Sequence, residues 1–181
     1  MLIAITDLET TGLDFAIHEI IDIGLLVVDS VTLQVTNKLD IRVKPTHLDT
    51  ATEEAMRING YNETDWKDAV SLEEAMKLYA EKTPTAIFLA HNVTFDWSFI
   101  NEAFRSTKVK NLMDYHRLDL YTISWFLLKS TKIKGFNLNK IANFLGIPEE
   151  PMPHRAINGA TTAYEVFKKL VVFEKRMRNE I

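Results

Sequence analysis

The feature that most constrains this chain is a two-residue period at its start. In Leu2–Glu9, the residues Ile3, Ile5, Asp7 and Glu9 alternate with Leu2, Ala4, Thr6 and Leu8. Side chains two apart on a strand point to the same face, so the first set shares one side of a sheet. That side begins apolar, in a core, and ends in two carboxylates. Thr10-Thr11-Gly12 then breaks the strand.

The segments that follow fix the fold class. Glu19–Ser30 is rich in Ile, Leu and Val and reads as a buried second strand. Leu33–Lys44 supplies a third, stopped by Pro45. Short connections make these three an antiparallel meander. After that, strands and helices alternate. Residues 51–60 read as a short helix stopped by Asn59-Gly60. Ser71 and Glu74 resemble a capping box that opens a helix through Lys82. Thr85–Ala90 is a short apolar strand, and Phe95, Phe99, Ile100, Ala103 and Phe104 have helical spacing. Asp114–Leu118 reads as a last strand, followed by helices over 119–130 and 137–145. Ala156–Lys175 is a long amphipathic helix with Ala160, Ala163, Phe167, Leu170 and Val171 inward. The expectation is a single α/β domain over 1–175 with a tail at 176–181. Its mixed five-stranded sheet has three antiparallel strands first and is flanked by helices.

Composition closes off several functions. There is no cysteine, which excludes a disulfide scaffold, a Cys-ligated zinc, an iron–sulfur cluster and a thiol nucleophile. No apolar run approaches the roughly 20 residues that span a bilayer, and the N-terminus has no basic region of a secretory signal. A cytoplasmic protein without a membrane partner is expected. The net charge of −4 argues against nucleic-acid binding by a global positive field. Yet residues 1–99 carry 7 Lys/Arg against 17 Asp/Glu, and residues 100–181 carry 14 against 8. That asymmetry is either a solvated helical surface or an acidic centre beside a basic one.

Asp7 and Glu9 carry the first candidate chemistry. Like charges held close in a partly buried site repel, and one is driven to protonate. A divalent cation removes the conflict, and carboxylate oxygens suit Mg²⁺ or Mn²⁺. The competing reading is two solvated acids before a turn. Gly12 allows close backbone approach, and Thr10 and Thr11 offer hydroxyls and N–H groups to a terminal sugar or phosphate.

His91-Asn92-Val93-Thr94-Phe95-Asp96 links a strand to a helix, where ligand sites of α/β sheets lie. Asp96 falls in the first helical turn, where an acid also simply complements the helix dipole. Asn92 or Thr94 would serve as an N-cap, and His91 as a core histidine.

Together, IAITDLETTGLD and LAHNVTFDWSFI resemble the DEDD superfamily of 3′–5′ exonucleases. The two motifs stand in the family's order, with Asp7 and Asp96 separated by 89 positions. A third segment, His154-Arg155-Ala156-Ile157-Asn158-Gly159-Ala160, is similar to the H-x-A-x-x-D-A pattern of the DEDDh branch, and TTAYEVFKKL also looks like the family's. The chain most resembles the proofreading epsilon subunits of bacterial replicative polymerases. The resemblance implies an RNase H-like fold and two Mg²⁺ or Mn²⁺ ions. By it, Asp7 bridges both ions, Glu9 holds the one on the nucleophile side and Asp96 supports the other. His154 is the general base. It further implies a single-stranded DNA or RNA 3′ end as substrate, nucleoside 5′-monophosphates as products, and a polymerase or repair complex as the setting. His91, Asn92, Leu13, Phe95 and the Thr10–Gly12 backbone fall where base and sugar contacts are expected.

One position departs from the pattern. The fourth acid should stand at 159, where this chain has Gly159. Asn158 points about 100° away on a helix and Glu165 lies almost two turns on, so neither replaces it. The departure implies weakened activity and poorer occupancy of the nucleophile-side metal. An inactive nucleic-acid-binding or scaffolding module of the same fold is the alternative. A metal-dependent enzyme acting on another phosphodiester is a third, resting on the acids alone. Lys108, Lys110, Lys132 and Lys134 are either phosphate contacts or solvated surface. His116 and Arg117 read as structural, and Asp119 as a helix cap.

Overall fold

The computed structural model describes residues 1–179. Its sheet is built from β1 (Leu2–Thr10), β2 (Ile20–Asp29), β3 (Val35–Arg42), β4 (Ile87–Ala90) and β5 (Arg117–Asp119). The spatial order is β3-β2-β1-β4-β5. β1 to β3 form the antiparallel meander, while β4 and β5 run parallel to β1. All but the last residue of β2 is buried, as its unbroken Ile/Leu/Val run requires.

The two faces of the sheet bury different helices. Ala4, Leu8, Leu25 and Phe88 pack against α2 (Leu72–Lys82) and α3 (Val93–Thr107). Ile3, Ile5 and Leu89 pack against α4 (Leu120–Leu128), α5 (Leu138–Phe144) and α6 (Ala156–Asn179). A shorter helix, α1 (Glu53–Asn59), ends at Gly60 in the left-handed conformation. The inward residues expected of the last helix lie in the second core or against it, apart from Ala160, which is likewise buried. That helix continues to Asn179, so 176–179 of the expected tail are helical. Residues 180–181 lie outside the described residues. The strand expected at 114–118 is shorter and later, because Asp114 and His116 form a turn held by the Asp114 carboxylate.

Ser71 caps α2 by accepting from the Glu74 N–H, and Asp119 caps α4 by accepting from Tyr121 and Thr122. Asp119 also accepts from the N–H groups of Asn92 and Val93, at the start of α3. One carboxylate therefore satisfies free amides of two helices. Among the described residues no helix is long and apolar enough to cross a membrane.

Candidate active site

The site forms where β1 outlasts its neighbour. β4 pairs only with Ile3–Ile5 of β1, so the last residues of β1 have no strand partner on that side. The N–H of Leu8 donates instead to the carboxylate of Asp96, in the first turn of α3. Asp96 is 3% exposed. Asp7 and Glu9 lie on the same strand, opposite Gly24 and Asp22 of β2. The two expected motifs thus meet at one end of the sheet.

Electrostatics there are strained by like charge. Burial pushes the Asp7 carboxyl far above the usual range, and Asp96, Glu9, Glu150 and Asp22 push it further. Burial, then Glu150 and Asp22, raise Glu9 to about 8, with Arg155 pulling the other way. Asp96 is raised by burial despite two backbone N–H donors. Among the described residues, no Lys, Arg or His forms an ion pair with Asp7, Glu9 or Asp96.

The third motif arrives on the same face. Gly24 lets the start of α6 sit directly on β2, because a Cβ there would overlap the carbonyl of Ala156. Asp22, fully buried, accepts from Arg155 Nε at 2.7 Å and from the Ala156 N–H at 3.3 Å. Arg155 also reaches Asp40 at 2.8 Å. His154, next in the chain and half-buried, donates its N–H to the Ile58 carbonyl. Gly159 faces Asp7, and a Cβ at 159 would overlap the Asp7 carboxylate. The space that a fourth acid would enter is taken by the first. Glu165 is committed to Lys168 at 2.9 Å, consistent with its exclusion as a substitute.

The Thr10–Gly12 turn serves itself as much as any ligand. Thr10 Oγ1 donates to the Gly12 carbonyl, and Thr11 Oγ1 accepts from the Glu19 N–H. Both side chains are buried, which turns the expected sugar-binding hydroxyls into scaffold. Leu13, by contrast, is 83% exposed. With Glu9, Thr10, Ala55, Ile58 and Phe95 it lines a concavity of about 160 Å³ beside the carboxylates. On its other side Leu13 and Phe95 line a second one with Asn92 and Phe99, of about 290 Å³.

His91 goes elsewhere. Its ring packs edge-on against Tyr121, and burial pushes it below its ordinary value while Asp119 opposes that. It is not among the groups that act on the site carboxylates. Lys108 caps the C-terminal end of α3, twelve residues and so roughly 18 Å from Asp96. Lys132 and Lys134 follow the far end of α4. His116 pairs with Asp114, and Arg117 stacks 3.3 Å from the Trp97 ring centre, both structural as read.

Three residues escaped the sequence reading. Asn59, 2% exposed, holds the Thr10 carbonyl with its Nδ2 at 3.1 Å. Asp22 had a visible signal, a charge inside the buried run of β2. Glu150 had none, since only folding brings its loop to β1.

The carboxylates have the donor chemistry for a divalent ion: hard oxygens, excess negative charge and no cationic partner. Asp7, Glu9 and Asp96 would hold it. Among the described residues no three acidic or histidine side chains converge as a ready-made ligand set. Of the three, Asp7 lies against Gly159.

A mixed sheet in this strand order, with acids from β1 and α3 at one end and a histidine just ahead of α6 in sequence, is the RNase H-like fold. The sequence matches the profile of the exonuclease (RNase_T) family over residues 4–167, and the chain belongs to that family. Relatives include the PolC-type DNA polymerase III of Thermotoga maritima, 28% identical over 96% of this chain and 12% of that protein. The 3′-5′ exonuclease DinG of Staphylococcus haemolyticus is 28% identical over 93% of this chain and 19% of that one. The chain therefore spans a small part of these relatives. Among solved structures, E. coli exonuclease I with a dA16 oligonucleotide superposes with a TM-score of 0.81, at 16% identity, over 99% of this chain and 42% of that one. The nuclease domain of 3'hExo, a DEDDh family member bound to rAMP, gives 0.74 at 15% identity, over 94% and 91%.

Proposed function

We propose that this chain is a metal-dependent 3′–5′ exonuclease of single-stranded DNA or RNA, acting in the cytoplasm and alongside a polymerase or repair complex. One domain, 1–175, carries the activity. The observation that carries the reading is the cluster of Asp7, Glu9 and Asp96. Motifs 89 positions apart meet as unpaired carboxylates at the open end of a sheet. A Mg²⁺ or Mn²⁺ pair, when bound, supplies Lewis acidity and a more acidic water. His154 takes a proton from the attacking water, a role its half-buried loop position allows. Leu13 and Phe95 flank the terminal base, whose face any nucleotide presents. Asn92 lines the same hollow. Asp22 and Arg155 hold the His154 loop to the sheet. The backbone at Thr10–Gly12 shapes the floor.

Gly159 favours a second reading, a binding module with crippled chemistry. One assay separates the two. The protein, Asp7→Ala and Gly159→Asp are incubated with 5′-labelled single-stranded DNA and RNA in Mg²⁺ and in Mn²⁺. The exonuclease reading expects stepwise loss from the 3′ end, abolished by Asp7→Ala and faster in Gly159→Asp. Binding without cleavage by any of the three proteins supports the module instead.

A further inference from the structure

We infer that Glu150 supplies the fourth carboxylate of the metal site in place of the side chain missing at 159. The inference rests on the metal-dependent reading above and deepens it. Glu150 lies in the loop between α5 and α6, four residues before His154. Its Oε1 is buried and, among the described residues, has no hydrogen-bond partner. Burial opposes the charged form of Glu150, while His154 and the backbone N–H of Arg155, just ahead of α6, both favour it. Among neighbouring charges it acts most strongly on Glu9, and it acts on Asp7 as well.

Leaving a buried carboxylate oxygen without a donor forfeits its hydration with nothing in return, so its persistence calls for a partner. The other candidates are spoken for. Asp22 also has an oxygen without a donor, Oδ1, but its charge is already met by Arg155, which with the Ala156 N–H holds its Oδ2; Glu149 accepts from Asn143 Nδ2. Charge count points the same way. Two divalent ions carry four positive charges, whereas Asp7, Glu9 and Asp96 carry three negative ones. Glu150 makes the balance. A side chain on a loop replaces the charge of a helical aspartate but not its rigidity.

The test is Mn²⁺ binding by calorimetry and by metal-induced rise in Tm, on the whole chain. The variants are Glu150→Gln, Glu149→Gln, Asp7→Asn and the double variant Glu150→Gln/Gly159→Asp. Glu150→Gln is isosteric, and its metal-free Tm checks that it folds. The expected result is two Mn²⁺ per wild-type chain, with one site weakened about tenfold or more in Glu150→Gln. Glu149→Gln matches wild type, and the double variant regains affinity. If Glu150→Gln titrates like wild type while Asp7→Asn does not, the role of Glu150 is refuted and the metal-dependent reading stands. If the wild-type chain binds no Mn²⁺, both fall.

Discussion

Glu9→Gln should make the metal-free protein more stable. Burial and the neighbouring acids raise Glu9 from 4.5 to about 8. A group whose folded value exceeds its unfolded one favours the fold below the unfolded value, and the advantage is lost as pH rises toward the folded value. At pH 7.5 the gap from 4.5 is about three units, or about 4 kcal/mol at 1.36 kcal/mol per unit. Solvent reaching the mouth of the cleft reduces this to about 2 kcal/mol. For a chain of this size that is a Tm gain of about 4–8 °C. The assay is thermal unfolding in chelator at pH 5 and pH 7.5. The variant should lead at pH 7.5 and nearly match wild type at pH 5. Saturating Mn²⁺ should reverse the order, since only wild type keeps the full ligand set. If the variant is no more stable at pH 7.5, or leads equally at both pH values, the carboxylates are not held in conflict.

Gly159→Asp should lower the metal-free Tm, because its Cβ displaces the Asp7 carboxylate; overpacking of this kind costs about 1–3 kcal/mol. Mn²⁺ should then raise its Tm by more than it raises wild type's. Asp119→Ala leaves the starts of α3 and α4 uncapped and should cost about 2 kcal/mol in urea unfolding, about 1 per cap. Phe95→Ala should raise KM for single-stranded DNA about tenfold while kcat changes little, as loss of one stacking face predicts.

Much of this was legible in one dimension because it depends on period. Asp7 and Glu9 share a face by strand geometry, and the Ile/Leu/Val run of β2 could only be a covered strand. The caps at Ser71 and Asp119 were readable because capping is local. What depends on distance was not. Asn59 read as a helix stop, and it also props the Thr10 carbonyl across 49 positions. The hydroxyls of Thr10 and Thr11 looked available until the turn absorbed them. Lys108 looked useful until the length of α3 carried it away from Asp96.

The double duty of Asp119 couples regions far apart in the chain. The amides of Val93 and Thr122 share one carboxylate, so neither helix start can fray without releasing its hold on the other. Asp96 sits one turn beyond Val93. In hydrogen exchange the two helix starts should lose protection as one cooperative unit. A substrate that steadies the Asp96 turn would slow exchange at Thr122, which touches none of it.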